Sequence, residues 1–230
     1  MASGNTYVKF LPALAQRTIR SPRDGRPVDE GCGPIAVAMC IIHWRRRGYE
    51  ILPQLENRRS LVRGLYELLG ASRRRDGSFT PPTRMYAGMQ RLAKGSQLVA
   101  HHLRPGPWRI MEQVLCTQLR KGRPVVILMR REPACLDENE KTWKGWHYVV
   151  ACGYQGNDVA LITGWATGQD QGFGAHRRAS GKGYDQAHVL CTFAELRRAR
   201  ISMFWYAPRK SVVPRTRWPT RSARFRCDHQ

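Results

Sequence analysis

Acidic residues are scarce in this chain of 230 residues, which has 17 Asp and Glu against 39 Lys and Arg and therefore a formal net charge of +22. The positive charge is spread along the whole sequence, with arginine triplets at 45–47 and 73–75. A surface of this charge binds polyanions without sequence preference, and such binding weakens steeply with salt. Composition therefore leaves nucleic acid or an acidic protein open as a partner and establishes neither.

Long hydrophobic runs are also missing. No stretch reaches the roughly 18 apolar residues that a membrane-spanning helix needs, so no membrane span is predicted. Residues 1–9 contain no apolar segment behind a charged start, so we expect a cytoplasmic protein or one delivered by a signal-peptide-independent route. Hydrophobic residues make up 42% of the chain, which is enough for one domain with appendages.

Paired cysteine spacings are absent as well. The seven cysteines include no Cys-x-x-Cys pair and no matching Cys/His spacing, so neither a zinc site nor any cofactor is predicted. The neighbours His101 and His102 point to opposite faces of a strand, which argues against joint ligation of a metal. Four cysteines lie in apolar runs, as buried free thiols do in a reducing compartment: Cys40, Cys116, Cys152 and Cys191.

One cysteine has a different setting, because Cys32 lies between two glycines at the start of an apolar segment. Pro34 is favoured in the first turn of a helix, and the residues from Ile35 onward are apolar on every side, which predicts a buried helix to about Arg47. A helix N-terminus lowers a thiol pKa from about 8.5 towards neutrality, and glycines let a backbone or a substrate chain approach the sulfur closely. Cys32 is therefore a candidate nucleophile, and the alternative is a structural cysteine that caps a core helix.

A second candidate is His147, which begins a run of aromatic and β-branched residues typical of a buried strand. The run stops at Gly153, residues 155–158 supply a hairpin turn, and residues 159–162 return as the partner strand. A histidine at a strand end is held by the sheet and still faces a cleft, as a catalytic base requires. With Cys32 it forms a candidate Cys/His dyad, and the alternative is a histidine that only fills the core.

Four segments in a fixed order carry a resemblance to a known family. They are Gly31-Cys32-Gly33-Pro34 with its helix, Lys121-Gly122-Arg123-Pro124 before the strand at 125–128, the Trp146-His147-Tyr148 strand, and the helix at 192–196 before a closing strand at 201–206. This order resembles the papain-like cysteine peptidases, and within them the bacteriocin-processing double-glycine (C39-like) type. The resemblance implies an α+β fold in which an N-terminal helical half with the nucleophile helix packs on an antiparallel β-sheet half.

The resemblance also implies roles for further residues. Thr163 takes the place of the Asn or Asp that orients the catalytic histidine, and its hydroxyl or its backbone carbonyl can accept the imidazole N–H. A carboxylate from Asp158 or Asp170 can serve instead. Gln16 takes the place of the glutamine that helps to bind the oxyanion, beside the backbone N–H of Cys32.

The function that follows is hydrolysis of a peptide or isopeptide bond through a thioester at Cys32, with a peptide or protein as the substrate. The same residues also serve transglutaminase-like and deamidase chemistry, and a protease that cuts itself once is a related alternative. A competing hypothesis is a catalytically degenerate papain-like fold that binds an acidic partner or nucleic acid. Two features motivate it, because Thr163 supplies no charge and the chain is strongly basic.

The predicted organisation has three parts: an N-terminal segment with a charged loop (1–31), the peptidase-like domain (32–208), and a basic tail (209–230) that is expected to be disordered. A glycine-rich loop at 163–184 is expected to cover the cleft. The acidic group at 137–140, just before His147, is either a solvated loop or a lid that selects basic substrate residues.

Apolar periodicity predicts the remaining elements. Helices are expected at 55–69, 84–94 and 110–121, a strand at 97–103, and a loop at 71–82. The third of these helices is expected to bury Ile110, Val114, Leu115 and Leu119 on one face.

Overall fold

The computed structural model of the protein describes residues 5–9, 11–14, 18–20, 25, 27–29, 31–74, 77–130, 146–163 and 188–209. Gln16, Asp170, the acidic group at 137–140, the glycine-rich residues 164–184 and the tail from residue 210 lie outside the described residues. The helices are α1 (Cys32–Arg46), α2 (Arg58–Leu68), α3 (Pro82–Ala93), α4 (Trp108–Arg120) and α5 (Phe193–Arg198). The strands are β1 (Asn5–Tyr7), β2 (Thr18–Arg20), β3 (Pro27–Asp29), β4 (Ser72–Arg74), β5 (Gly77–Phe79), β6 (Leu98–Leu103), β7 (Val125–Met129), β8 (His147–Gln155), β9 (Asp158–Ile162), β10 (His188–Thr192) and β11 (Ser202–Pro208).

The main sheet is antiparallel throughout and has the strand order β10-β9-β8-β7-β11-β6. Strand β7 pairs with the first part of β8, from His147 to Ala151, and β1 pairs with its last part, from Gly153 to Gln155. The sheet thus includes a strand that precedes residue 32. Every residue of β7, and every residue of β8 except the last, is buried, as expected for strands covered on both faces.

The helical half packs on this sheet as the sequence predicts. Helix α1 is apolar on nearly every side and contacts β8, β7 and α2, while α4 contacts β8, β7 and β1. Helix α1 begins at Cys32, two residues before Pro34, because Gly31 adopts a positive φ of 78° and serves as the N-cap. Proline is tolerated at the third helical position because no backbone N–H of the first turn has a partner within the helix.

Two local expectations are wrong. The predicted loop at 71–82 contains the β4–β5 hairpin, in which Ser72 pairs with Phe79; its three-residue strands are too short to show a period of two. In α4, Ile110 is 51% exposed. The buried face passes instead through Met111, Leu115 and Leu119, which recur every four residues.

The elements after β8 follow the prediction closely. The β8–β9 hairpin turns at Gly156, whose φ is 57°. Helix α5 begins with a capping box, in which Thr192 and Glu195 exchange side chain to backbone hydrogen bonds. No helix in the described ranges has both the length and the apolar character that crossing a membrane requires.

Candidate active site

Cys32 is the first residue of α1 and is 9% exposed. Gly33 gives this helix end a close contact with the segment after β5, because a Cβ at position 33 would lie 3.0 Å from Thr80 Oγ1 and 3.0 Å from Met85 Cε. The sequence predicts that the flanking glycines let a backbone or a substrate chain approach the sulfur. At Gly33 the space is filled by side chains of the protein itself, those of Thr80 and Met85.

The backbone N–H groups of Tyr148 in β8, of Gly33 and of Cys32 itself interact with the Cys32 thiol and lower its pKa. They favour the thiolate, but burial acts more strongly and raises the pKa of the Cys32 thiol to about 11. The expectation of a thiol pKa lowered towards neutrality is therefore wrong for this structure. Helix position alone predicts a reactive thiol, whereas desolvation depends on tertiary packing.

His147 begins β8, where it pairs with Met129 of β7, and it is 3% exposed. Its Nε2 lies 3.1 Å from the backbone oxygen of Thr163, the residue that follows β9. Burial lowers the pKa of His147 to about 4, and the hydrogen bond to Thr163 opposes that shift. The imidazole is therefore neutral at pH 7, and because the Thr163 oxygen can only accept, Nε2 carries the proton.

The structure brings Cys32, His147 and Thr163 to one corner of the fold. Tyr148, whose N–H faces the sulfur, is the residue after His147 in β8. Of the two acceptors considered at Thr163, the one that contacts the imidazole is the backbone carbonyl. Asp158 pairs with Gln155 at the hairpin end of β8, eight residues or roughly 26 Å from His147, so the alternative role for Asp158 is wrong.

Sequence reasoning missed several residues around this corner. The Tyr148 hydroxyl donates a 2.9 Å hydrogen bond to the Thr80 backbone oxygen, which joins β8 to the segment that packs on Gly33. Burial raises the pKa of the Tyr148 hydroxyl, which therefore stays protonated. No sequence signal marks Thr80, because it lies in the region expected to be a loop. Trp146 belongs to one of the motifs that carry the resemblance, but only the tertiary structure shows its contact with Arg130.

The histidine pair at 101 and 102 behaves as predicted. The two imidazoles lie on opposite faces of β6, where His101 stacks on Trp205 and His102 stacks on Phe204. In the part of the chain that the structure describes, no group of three or more His, Cys, Asp and Glu residues is arranged to hold a metal ion.

No family model and no curated protein matches the sequence. Solved structures match the fold. A mutant fragment of prointerpain A from Prevotella intermedia is similar over 87% of this chain and 71% of its own, with 12% identity and a TM-score of 0.51. Active interpain A cysteine protease from the same organism is similar over 87% and 94%, with 12% identity and a TM-score of 0.50. A Bacillus anthracis structure described as a C39-like peptidase matches over 90% and 99%, with 12% identity and a TM-score of 0.49.

The element order, the antiparallel sheet and the two interpain A structures agree with the resemblance read from the sequence motifs. The fold of this chain is that of the papain-like cysteine peptidases.

Proposed function

We propose that the protein is a cysteine peptidase in which Cys32 is the nucleophile, His147 the general base and the Thr163 carbonyl the group that orients the base. One observation carries the proposal: the backbone N–H of Tyr148 faces the Cys32 sulfur, while the preceding residue, His147, has its Nε2 bonded to an acceptor. The nucleophile and the base thus share one corner, and the base is held in one tautomer.

The tautomer determines the direction of proton transfer. Because Nε2 carries the proton, the lone pair of His147 is on Nδ1, which takes the proton of the Cys32 thiol. The thiolate attacks the carbonyl carbon of the scissile bond, and the oxyanion is stabilised by the N–H of Cys32. The tetrahedral intermediate expels the amine, which receives the proton from His147, and a thioester remains. His147 then deprotonates a water that attacks the thioester, and the carboxylic acid and the free thiol are released.

Burial favours the neutral forms of both groups before reaction, with the pKa of Cys32 raised to about 11 and that of His147 lowered to about 4. Proton transfer creates a thiolate and an imidazolium side by side. Their mutual attraction offsets the cost of removing each charge from water. We therefore propose that the neutral pair predominates in the resting protein and that His147 takes the thiol proton as Cys32 attacks an electrophile, whether a scissile carbonyl or an alkylating reagent.

The substrate class is a peptide or isopeptide bond, and Gln16 remains the proposed second donor to the oxyanion. The proposed peptidase domain covers residues 32–208, and β1 of the N-terminal segment adds one strand to its sheet. Cys32, Cys40 and Cys116 are free thiols, which supports a reducing, cytoplasmic location.

Alkylation tests this function. The full chain is treated with iodoacetamide at pH 7, and the labelled positions are located by mass spectrometry. We expect label on Cys32 ahead of Cys40, because burial raises the pKa of the Cys40 thiol even further. His147→Ala should slow labelling of Cys32 at least about tenfold. The matched control is His101→Ala, on β6 and separated from β8 by two strands, which should leave the rate unchanged.

The second candidate function is a binding protein on the same fold. The observation that favours it is the neutral, buried pair, whose orienting acceptor brings no charge. This hypothesis expects Cys32 to be labelled no faster than the other thiols, whether or not His147 is present. It also expects salt-sensitive retention on a heparin column that survives Cys32→Ala. Retention alone does not discriminate, because a net charge of +22 produces it in either case, so the labelling of Cys32 decides.

A further inference from the structure

A tryptophan and an arginine lie side by side at the sheet end that carries His147. Met129 pairs with His147 at the ends of β7 and β8, so the next residues outward, Arg130 and Trp146, lie opposite each other. The guanidinium carbon of Arg130 is 5.1 Å from the centre of the Trp146 ring, which is cation–π geometry. Trp146 is 39% exposed and Arg130 is half-buried, so both residues are partly accessible at the end of β8 that carries the proposed base.

Trp146 and Arg130 each make a further contact that fixes their position. The Phe79 ring meets the indole edge-to-face, with ring centres 5.7 Å apart and an interplanar angle of 74°, and β5, which ends at Phe79, contacts α1. The backbone N–H of Arg130 donates a 3.0 Å hydrogen bond to the Ala199 carbonyl. The Arg130 guanidinium therefore packs on an indole ring of fixed position, close to Cys32 and His147.

The Arg130 side chain also has an unmet hydrogen bond. Its Nε is buried and has no acceptor among the residues that the structure describes. Because Nε is buried, an outside ligand meets the terminal N–H groups of the guanidinium instead, and a carboxylate can accept from two of them at once.

We propose, on the basis of the peptidase function above, that Arg130 and Trp146 form a carboxylate-binding subsite of the catalytic cleft. The preferred substrate then carries a carboxylate at a fixed, short distance from the scissile bond. Two sources share this chemistry: an Asp or Glu side chain, or the C-terminal carboxylate of the peptide. The first makes the protein an endopeptidase selective for acidic residues, and the second makes it a peptidase that trims C-termini.

A peptide library distinguishes these sources. Peptides that contain Asp, Glu and their amides at every position, each made with a free and with an amidated C-terminus, are incubated with the full chain, and the cut sites are read by mass spectrometry. Selectivity for Asp or Glu over Asn or Gln at one position identifies the side-chain source. Cuts at a fixed distance from a free C-terminus that vanish on amidation identify the terminal source.

Substitutions connect the selectivity to the subsite. Arg130→Gln should lower kcat/KM about 10- to 100-fold for carboxylate substrates and leave their amide counterparts unchanged. Arg130→Lys keeps the charge but not the paired donors, so it should recover only part of the selectivity. The control is Arg109→Gln at an exposed position of α4, which makes the same change in net charge and should leave all rates unchanged.

Each remaining outcome is decisive. Cleavage without preference for a carboxylate, or a preference that Arg130→Gln leaves intact, overturns the subsite and leaves the peptidase standing. Selective labelling of Cys32 with no cleavage anywhere in the library also overturns it, because the library contains the proposed substrate in every register. Absence of both labelling and cleavage would contradict the proposed peptidase function, and with it the proposed subsite.

Discussion

The base of the proposed dyad is oriented by a main-chain atom. A backbone carbonyl accepts the Nε2 proton of His147, so its position depends on where β9 ends rather than on the side chain of Thr163. This arrangement fixes the tautomer without adding a charge. A threonine is compatible with this role, because the acceptor belongs to the backbone and not to the side chain.

Thr163→Val tests the role of the carbonyl. The variant keeps the backbone oxygen and the shape of the side chain and removes only the hydroxyl. We expect kcat/KM to stay within about threefold of the wild type, because the imidazole keeps its acceptor. Nitrogen-15 NMR of labelled histidine should show the proton of His147 on Nε2 in both proteins. A loss of activity together with a change of tautomer would instead assign the orienting role to the hydroxyl.

At the scale of elements, two glycines within helices have different surroundings. Gly64 of α2 lies against the end of a flexible side chain. An added Cβ would lie 2.8 Å from Leu55 Cδ1 and would have no backbone atom of another segment within 4 Å. Gly88 of α3 lies against the end of α2, where an added Cβ would meet Leu69 Cδ2 at 2.6 Å and the backbone of Leu68 and Leu69 at 3.1 Å. The α2–α3 contact therefore depends on the absence of a side chain at position 88.

Substitution of each glycine by alanine makes a matched pair. Both changes gain helix propensity, worth up to about 1 kcal/mol. Gly64→Ala should be neutral or stabilising, because the Leu55 side chain can move. Gly88→Ala should lower the free energy of unfolding by about 1 to 3 kcal/mol, because backbone atoms cannot move aside. Urea unfolding monitored by circular dichroism measures both, and equal effects would contradict the close packing at Gly88.

At the scale of the whole molecule, part of the positive charge serves the fold. The Arg45 guanidinium donates to the carbonyls of Ile51, Leu52 and Leu55 after α1, with 2.9 Å and 2.8 Å to the first and last of these. Arg47 donates to the Gly122 carbonyl at 3.0 Å and joins α1 to the turn before β7. The first arginine triplet is thus not simply a free basic patch, which weakens it as an argument for nucleic-acid binding.

Buried histidines make stability depend on pH. Burial lowers the pKa of His43 and of His147 to about 4, and those of His101 and His102 are lowered as well. Between about pH 6.5 and pH 4 the unfolded chain binds protons that the folded chain does not, so stability is complete above pH 6.5 and falls as the pH is lowered. Each histidine that stays neutral contributes a slope of up to about 1.4 kcal/mol per pH unit.

Urea midpoints measured between pH 7 and pH 4.5 check this slope. His43→Gln removes one buried imidazole, and we expect a shallower decline than in the wild type across the same range. Carboxylates also titrate near the acid end of this range, and the difference between the two proteins cancels their contribution. Parallel curves for the two proteins would show that His43 is protonated in the folded state.

The sequence alone determined the elements that carry the site. An apolar segment behind Cys32, the β-branched strand from His147, the β8–β9 hairpin and the buried β7 are local patterns, and local patterns of period 3.6 or 2 reflect burial directly. The order of these segments also carried the resemblance to papain-like peptidases. Short or unpatterned segments were not predicted correctly from the sequence. The β4–β5 hairpin and the exposed side chain of Ile110 are examples.

Only the tertiary structure decided the chemistry between elements. Three features depend on distances between residues that are far apart in sequence. They are the atom of Thr163 that contacts His147, the extent to which burial raises the pKa of Cys32, and the contact between Arg130 and Trp146. Desolvation and hydrogen-bond geometry are properties of the packed molecule, so no local pattern encodes them.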